Sequence, residues 1–212
     1  METIIELTAR YPGLAGCAAE IEKAGEILIE AYRNGGCLFT CGNGGSAADS
    51  DHIVGELMKG FLKKRPVPAE FREKLAAYDD ADFLANHLQG GLPAVSLHSQ
   101  SALLTAFAND VDASMMYAQT LYAMGKSGDV LLAISTSGNT KNVVNAAKIA
   151  KAMGIRVISL TGAKPCRLDG LLTEPADCAI HVGDTETYRV QELHLPVYHW
   201  LCAKVEETFF AE

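Results

Sequence analysis

Residues 129–160 read DVLLAISTSGNTKNVVNAAKIAKAMGIRVISL, and they decide the fold. DVLLAIS is an apolar run of the buried-strand kind, ended by the hydroxyl-rich turn TSGNT. KNVVNAAKIAKAMG then spaces its apolar residues as a helix does and stops at Gly154, after which IRVISL (155–160) is apolar again. Strand, helix and strand in alternation imply a parallel sheet with helices over both faces.

The rest of the chain repeats this grammar on either side. AEIEKAGEILIEAYRNGG (19–36) has helical spacing at Ile21, Ala24, Ile27, Leu28, Ala31 and Tyr32, with Gly35 placed to end the helix. CLFTC (37–41) is a short apolar strand, GNGGS (42–46) turns it, and a second helix is expected from about Ala47 to Leu62. LPAVSL (92–97) reads as the next strand, followed by mostly helical sequence, and DCAIHV (177–182) as the last strand. From about Thr187 the chain is helical almost to its end, with Pro196 as an interior kink. Residues 63–92 break the pattern with a basic, proline-bearing start, short helical pieces and a Gly-Gly stop. We read 1–212 as one domain carrying an excursion at about 68–91, a lid or an interface element, and Lys63, Lys64 and Arg65 as a solvated helix end.

At 212 residues, 49% hydrophobic and 21% charged, the chain has the composition of one ordinary folded core. A net charge of −8 argues against unspecific nucleic-acid binding, yet leaves room for an anionic substrate held by local dipoles. METIIELTARYPG is no secretory signal, and no run approaches the ~20 apolar residues of a membrane span. The six cysteines form no CxxC pair and read as reduced, mostly buried residues of a cytoplasmic protein.

In α/β sheets ligands lie beyond the carboxyl ends of the strands, and both glycine- and serine-rich turns fall there. STSGNT (135–140) offers the hydroxyls of Ser135, Ser137 and Thr140 beside unpaired helix-start amides, a cradle for phosphate; helix capping explains the same residues equally well. GNGGS supplies Asn43 and Ser46 for sugar hydroxyls, or is simply a tight turn. His52 and Glu56 are four apart on one helix face, a spacing for two metal ligands, for an acid–base pair, or for a solvated pair. On the last helix Gln191 and His199 stand about 12 Å apart along the axis. Taken on its aromatic surroundings alone, His199 reads as packed rather than catalytic, and Asn109-Asp110 as a sugar contact or a turn.

Together CGNGGSAADSDHIVGEL, LLAISTSGNTKNVVNAA, VISLTG and RVQELHLPVYH resemble the sugar isomerase (SIS) domain family, most closely its phosphoheptose isomerase branch. The resemblance covers nearly the whole chain apart from roughly 68–91. It implies a flavodoxin-like three-layer αβα sandwich, assembled as a homotetramer with active sites between subunits, which converts sedoheptulose 7-phosphate to glycero-manno-heptose 7-phosphate. By that resemblance Ser135, Thr136, Ser137 and Thr140 hold the phosphate, while Asn43, Gly44, Ser46, Asp110 and Gln191 meet the substrate. Glu56 and His199 match the acid–base pair, and His52, Glu56, Gln191 and His199 match the ligands of a zinc ion found in some members. Two positions depart from the pattern: Tyr188 replaces an acidic residue, and Gly60 replaces a basic one, with Lys59 beside it.

These residue types suit an aldose–ketose isomerisation, in which a proton moves between C1 and C2 through an enediol. Buried carboxylates can be tuned upward as bases, histidine titrates near neutrality, and a divalent ion would steady the oxyanion. Related SIS domains also include non-catalytic sugar-phosphate binders and a DnaA initiator-associating protein, a rival reading for which the proton-transfer groups are dispensable.

Overall fold

The structure, a computed structural model, describes residues 1–210. Among them five strands make one wholly parallel sheet: β1 (Leu38–Cys41), β2 (Ala94–Ser96), β3 (Val130–Ile134), β4 (Arg156–Thr161) and β5 (Cys178–His181). Their order is β2-β1-β3-β4-β5, the flavodoxin-like arrangement, so the chain reverses direction across the sheet between β1 and β3. Thr40 of β1 lies opposite Ser96 on one side and Leu132 on the other. All five residues of β3 are buried, as expected of a central strand covered on both faces.

Helices α1 (Ile4–Arg10), α2 (Ala18–Arg33) and α3 (Gly45–Met58) come before β2 with two short helices, α4 (Ala69–Leu75) and α5 (Ala81–His87). After β2 follow α6 (Ser101–Phe107), a π-type turn (Ala108–Asp112), α7 (Met116–Met124), α8 (Lys141–Ala152) and finally α9 (Thr187–Phe209). The sheet separates two cores because neighbouring strand residues point to opposite faces. Leu132 and Ile158 pack with Ile21, Ile53 and Val197 of α2, α3 and α9, whereas Leu131 and Val157 pack with Tyr117, Val143 and Ala147 of α7 and α8. This is the three-layer sandwich that the sequence pattern implied.

Two expectations need correction. α3 ends at Met58 rather than near Leu62, because Lys59 turns extended at φ −135° and the closing carbonyls find partners outside the helix. Arg65 is not part of a solvated helix end: its side chain is fully buried against Glu206 of α9. The chain also has a helix that the apolar pattern passed over. α1 opens with a capping box, Thr3 accepting from the Glu6 amide while Glu6 accepts from the Thr3 amide.

The excursion contains α4 and α5 and is pinched at its base by an antiparallel bridge between Pro66 and Gln89. α9 continues through Pro196, which has no N–H for the Glu192 carbonyl four residues back. All six cysteines are free, and Cys17, Cys41, Cys178 and Cys202 are buried. No helix among the described residues is long and apolar enough to cross a membrane.

Candidate active site

Both Gly/Ser-rich turns leave the carboxyl ends of adjacent strands, β1 and β3, on the two sides of the point where strand order reverses. That is where open α/β sheets form a crevice. The turn after β1 swings into α3 through Gly44, whose φ of +56° is the left-handed region that glycine enters freely. The turn after β3 does the same at Gly138, φ +60°, which lies directly beneath the Cys166 thiol and has no space for a side chain.

The two turns are tied together. Asn43 and Asn142 exchange amide hydrogen bonds, each 2.9 Å long, and the Tyr117 hydroxyl donates to the Gly42 carbonyl at 2.6 Å. The side chain of Asn43 is thus already committed to holding the crevice shut at its base, and Ser46 is buried beside it. In the second turn Ser135 and Thr140 bond each other at 3.0 Å, and the Ser135 hydroxyl also accepts from the Gly138 amide. Thr136 and Ser137 instead line an open cavity of about 320 Å³ with Asn139, Lys164, Thr185 and Thr187. Of the four hydroxyl residues assigned to phosphate, two face this cavity and two shape the turn. Asp110 lies apart, exposed on the π-type turn, where it accepts from Asn109 at 2.8 Å.

The second half of the candidate site lies where α3 packs on α9. His52 bonds the Tyr198 hydroxyl through Nδ1 (3.1 Å) and Glu56 through Nε2 (3.2 Å), and Lys59 Nζ donates to the other Glu56 oxygen at 2.7 Å. The Tyr198 hydroxyl also donates to Asp49, which lies one helical turn before His52. The ring of His199 meets that of His52 edge-on with centroids 5.0 Å apart, and its Nε2 is buried with no partner. His199 therefore faces His52, the partner of the Glu56 carboxylate, rather than an aromatic core alone. Gln191 lies against the start of α3, where a Cβ on Gly45 would stand 2.5 Å from its Nε2.

The electrostatics follow from these contacts. Burial pushes the Glu56 carboxyl upward, but Lys59 and His52 outweigh it and hold the group below its ordinary value. The expectation of a carboxylate tuned upward is not met in this chain, because Lys59 and His52 both hydrogen-bond the Glu56 carboxylate. Burial and the neighbouring His52 lower His199, so its ring is neutral at pH 7. Burial raises Asp49.

The four residues matched to zinc do not converge on one point. Both nitrogens of His52 are engaged, Gln191 stands about two turns from His199 along α9, and only the bare His199 Nε2 among the four has the look of a waiting ligand. Among the described residues no three His, Cys, Asp or Glu side chains are grouped to hold a metal ion. As placed, these residues do not fit an ion site.

Sequence reasoning missed Tyr198, Asp49 and Asn142. Asp49 had a usable signal, since it sits three before His52 on one helix face. Asn142 and Tyr117 had none, because their partner Asn43 is 99 and 74 residues away in sequence. Tyr188, at the departing position, is 57% exposed and its hydroxyl accepts from Arg189 Nε at 3.0 Å. At the other departure Lys59 reaches back to Glu56.

The SIS domain model matches residues 13–73 and 76–162, most of the 68–91 excursion included. A phosphoheptose isomerase of Thermodesulfovibrio yellowstonii is 35% identical over 90% of this chain and 81% of its own length. One of Rhodospirillum rubrum is 36% identical over 92% and 89%. A solved phosphoheptose isomerase of Neisseria gonorrhoeae superposes with a TM-score of 0.74 at 27% identity, covering 96% of this chain and 93% of that one. The Francisella tularensis enzyme gives a TM-score of 0.77 at 25% identity, over 95% and 92%. The chain belongs to the SIS domain family, on the branch that holds the phosphoheptose isomerases.

Proposed function

We propose that this isomerase interconverts sedoheptulose 7-phosphate and D-glycero-D-manno-heptose 7-phosphate by proton transfer through an enediol. Its family branch makes it an aldose–ketose isomerase of sugar phosphates; the particular heptose is our reading. The observation that carries it is that the chain presents both halves such a site needs, a hydroxyl-lined cavity and a helix that places Glu56 beside His52 and His199.

Thr136 and Ser137 donate to the phosphate, and Ser135 and Thr140 keep their turn in shape. Gly44, Ser46, Gln191 and Asp110 orient the sugar, with Asn43 fixing the loop from which the first two project. The Glu56 carboxylate, ionised at neutral pH, takes the C1 proton and returns it to C2. Neutral His199 exchanges the proton of the adjacent oxygen through its unpartnered Nε2. Lys59 and His52 hold the carboxylate's orientation between the two transfers.

A homotetramer with sites between subunits suits the dimensions. Along α9, Thr187 at the phosphate cavity and His199 are about 18 Å apart at 1.5 Å per residue. At the ~3.5 Å that three bonds of extended chain cover, C1 of a seven-carbon sugar lies only about 9 Å from its 7-phosphate. A neighbouring copy supplying Glu56 and His199 closes that gap. Six free thiols, four of them buried, suit a cytoplasmic protein.

The test is to follow aldose formation from sedoheptulose 7-phosphate by NMR with wild type and Glu56→Gln. Turnover in the first and loss of at least a thousandfold in the second supports the reading. Wild type with no turnover on this sugar overturns the choice of heptose.

A further inference from the structure

The backbone that carries Glu56 is clamped by a pair of charges that none of the family motifs contains. Arg65 and Glu206 meet at 2.8 Å with side chains 0% and 1% exposed. The last four carbonyls of a helix lack internal partners, and Glu56 and Leu57 are in the last turn of α3. Arg65 satisfies both, donating from Nη2 to the Glu56 carbonyl (3.2 Å) and from Nη1 to the Leu57 carbonyl (2.7 Å). Its Nε is left for Glu206 Oε1, so one planar fork reads three acceptors.

Glu206 completes the clamp from α9. Its Oε1 also accepts from the Phe61 amide (2.8 Å), and its Oε2 accepts from the Leu62 and Lys63 amides (2.7 and 3.2 Å). The turn that begins two residues beyond Lys59 is thereby fixed amide by amide. The Arg65 guanidinium also lies over the Phe210 ring, 4.4 Å from its centroid. The excursion is anchored at the same place: Gly90 N donates to the Arg65 carbonyl (2.7 Å), and Gln89 accepts from the Gly60 amide (2.7 Å).

A buried ion pair adds little net stability, since removing two charges from water offsets most of their attraction. Directional contacts to the backbone are what it supplies here. We propose that Arg65 and Glu206 are positioning residues of the isomerase, holding the end of α3 so that the Glu56 carboxylate stands in reach of C1. This rests on the reading of Glu56 as the base. A carboxylate displaced by about 1 Å can lose on the order of a hundredfold in rate, while the phosphate cavity at the far end of α9 is untouched.

The experiment compares wild type, Arg65→Lys and Glu206→Gln by steady-state kinetics, circular dichroism and ¹⁵N NMR of the His52 ring. A lysine keeps the charge but cannot serve three acceptors. We expect kcat to fall about thirtyfold with KM within twofold in folded protein, together with a shift of the His52 Nε2 resonance as Glu56 moves away. Glu206→Gln, which keeps volume and one acceptor, is read alone should Arg65→Lys not fold. Full kcat in a folded variant, or loss only in proportion to the unfolded fraction, overturns the proposal. Should wild type itself not turn over the sugar, the function reading fails, and the His52 resonance still decides: unchanged in both variants, it overturns the clamp.

Discussion

Asn43 and Asn142 face each other across the two turns of the crevice and exchange both of their amide hydrogen bonds at 2.9 Å. Each lies on the turn or helix that follows a different strand, so the pair sets the width of the crevice at the point where strand order reverses. Asn142→Ala removes both bonds and leaves the Asn43 amide facing an apolar methyl. We expect a stability loss of about 2 kcal/mol by urea unfolding and a rise in KM at least fivefold.

Gly45 separates stability from activity more sharply. A Cβ there would stand 2.5 Å from the Gln191 amide nitrogen, the far end of a flexible side chain that can swing aside. Gly45→Ala is therefore expected to leave the melting temperature within a few degrees while lowering turnover at least tenfold. Calorimetry and steady-state rates on the same sample check both halves.

His194 belongs to the same helix but has a different role. It is fully buried, neither ring nitrogen makes a hydrogen bond although the Thr161 backbone is near, and burial lowers it to about 4. Unfolded, it binds a proton near pH 6.5, so below that the unfolded state is favoured and stability is lost as pH falls toward 4. Between pH 7 and pH 5 the loss is about 2 kcal/mol. Urea unfolding at the two values should show it, and His194→Leu should flatten it.

The metal question has its own test. His52, Glu56, Gln191 and His199 as placed form no ion site, and the proposed proton transfer by Glu56 invokes none. Exhaustively chelated protein is expected to keep at least half of its turnover. Activity that vanishes on chelation and returns with one zinc per chain would reassign these four residues as ligands.

Much of the fold was legible because it rests on local signals. The apolar run 130–134, the turn at Gly138 and the helix stop at Gly154 each state their structure within a few residues. α1 was not read, because at seven residues it is too short for an apolar period to reveal and its only local signal is the Thr3–Glu6 capping box. The site was legible where spacing along a helix carries it, as for His52 and Glu56. It was not legible where the partner comes from afar. Arg65 stands in a basic run and reads as solvated, and only Glu206, 141 residues away, makes it a buried clamp. The depressed Glu56 carboxyl depends on Lys59 folding back just where α3 ends, which helical spacing does not foretell.

The central claim is that Glu56 carries a proton between C1 and C2. The most direct test runs the reaction in D₂O with wild type and Glu56→Gln and reads deuterium at C2 of the aldose by NMR. The account predicts partial deuterium at C2 with wild type, entering as the Glu56 carboxyl exchanges with solvent, and neither deuterium nor product with the variant. Aldose formed by Glu56→Gln at a rate near that of wild type would contradict it.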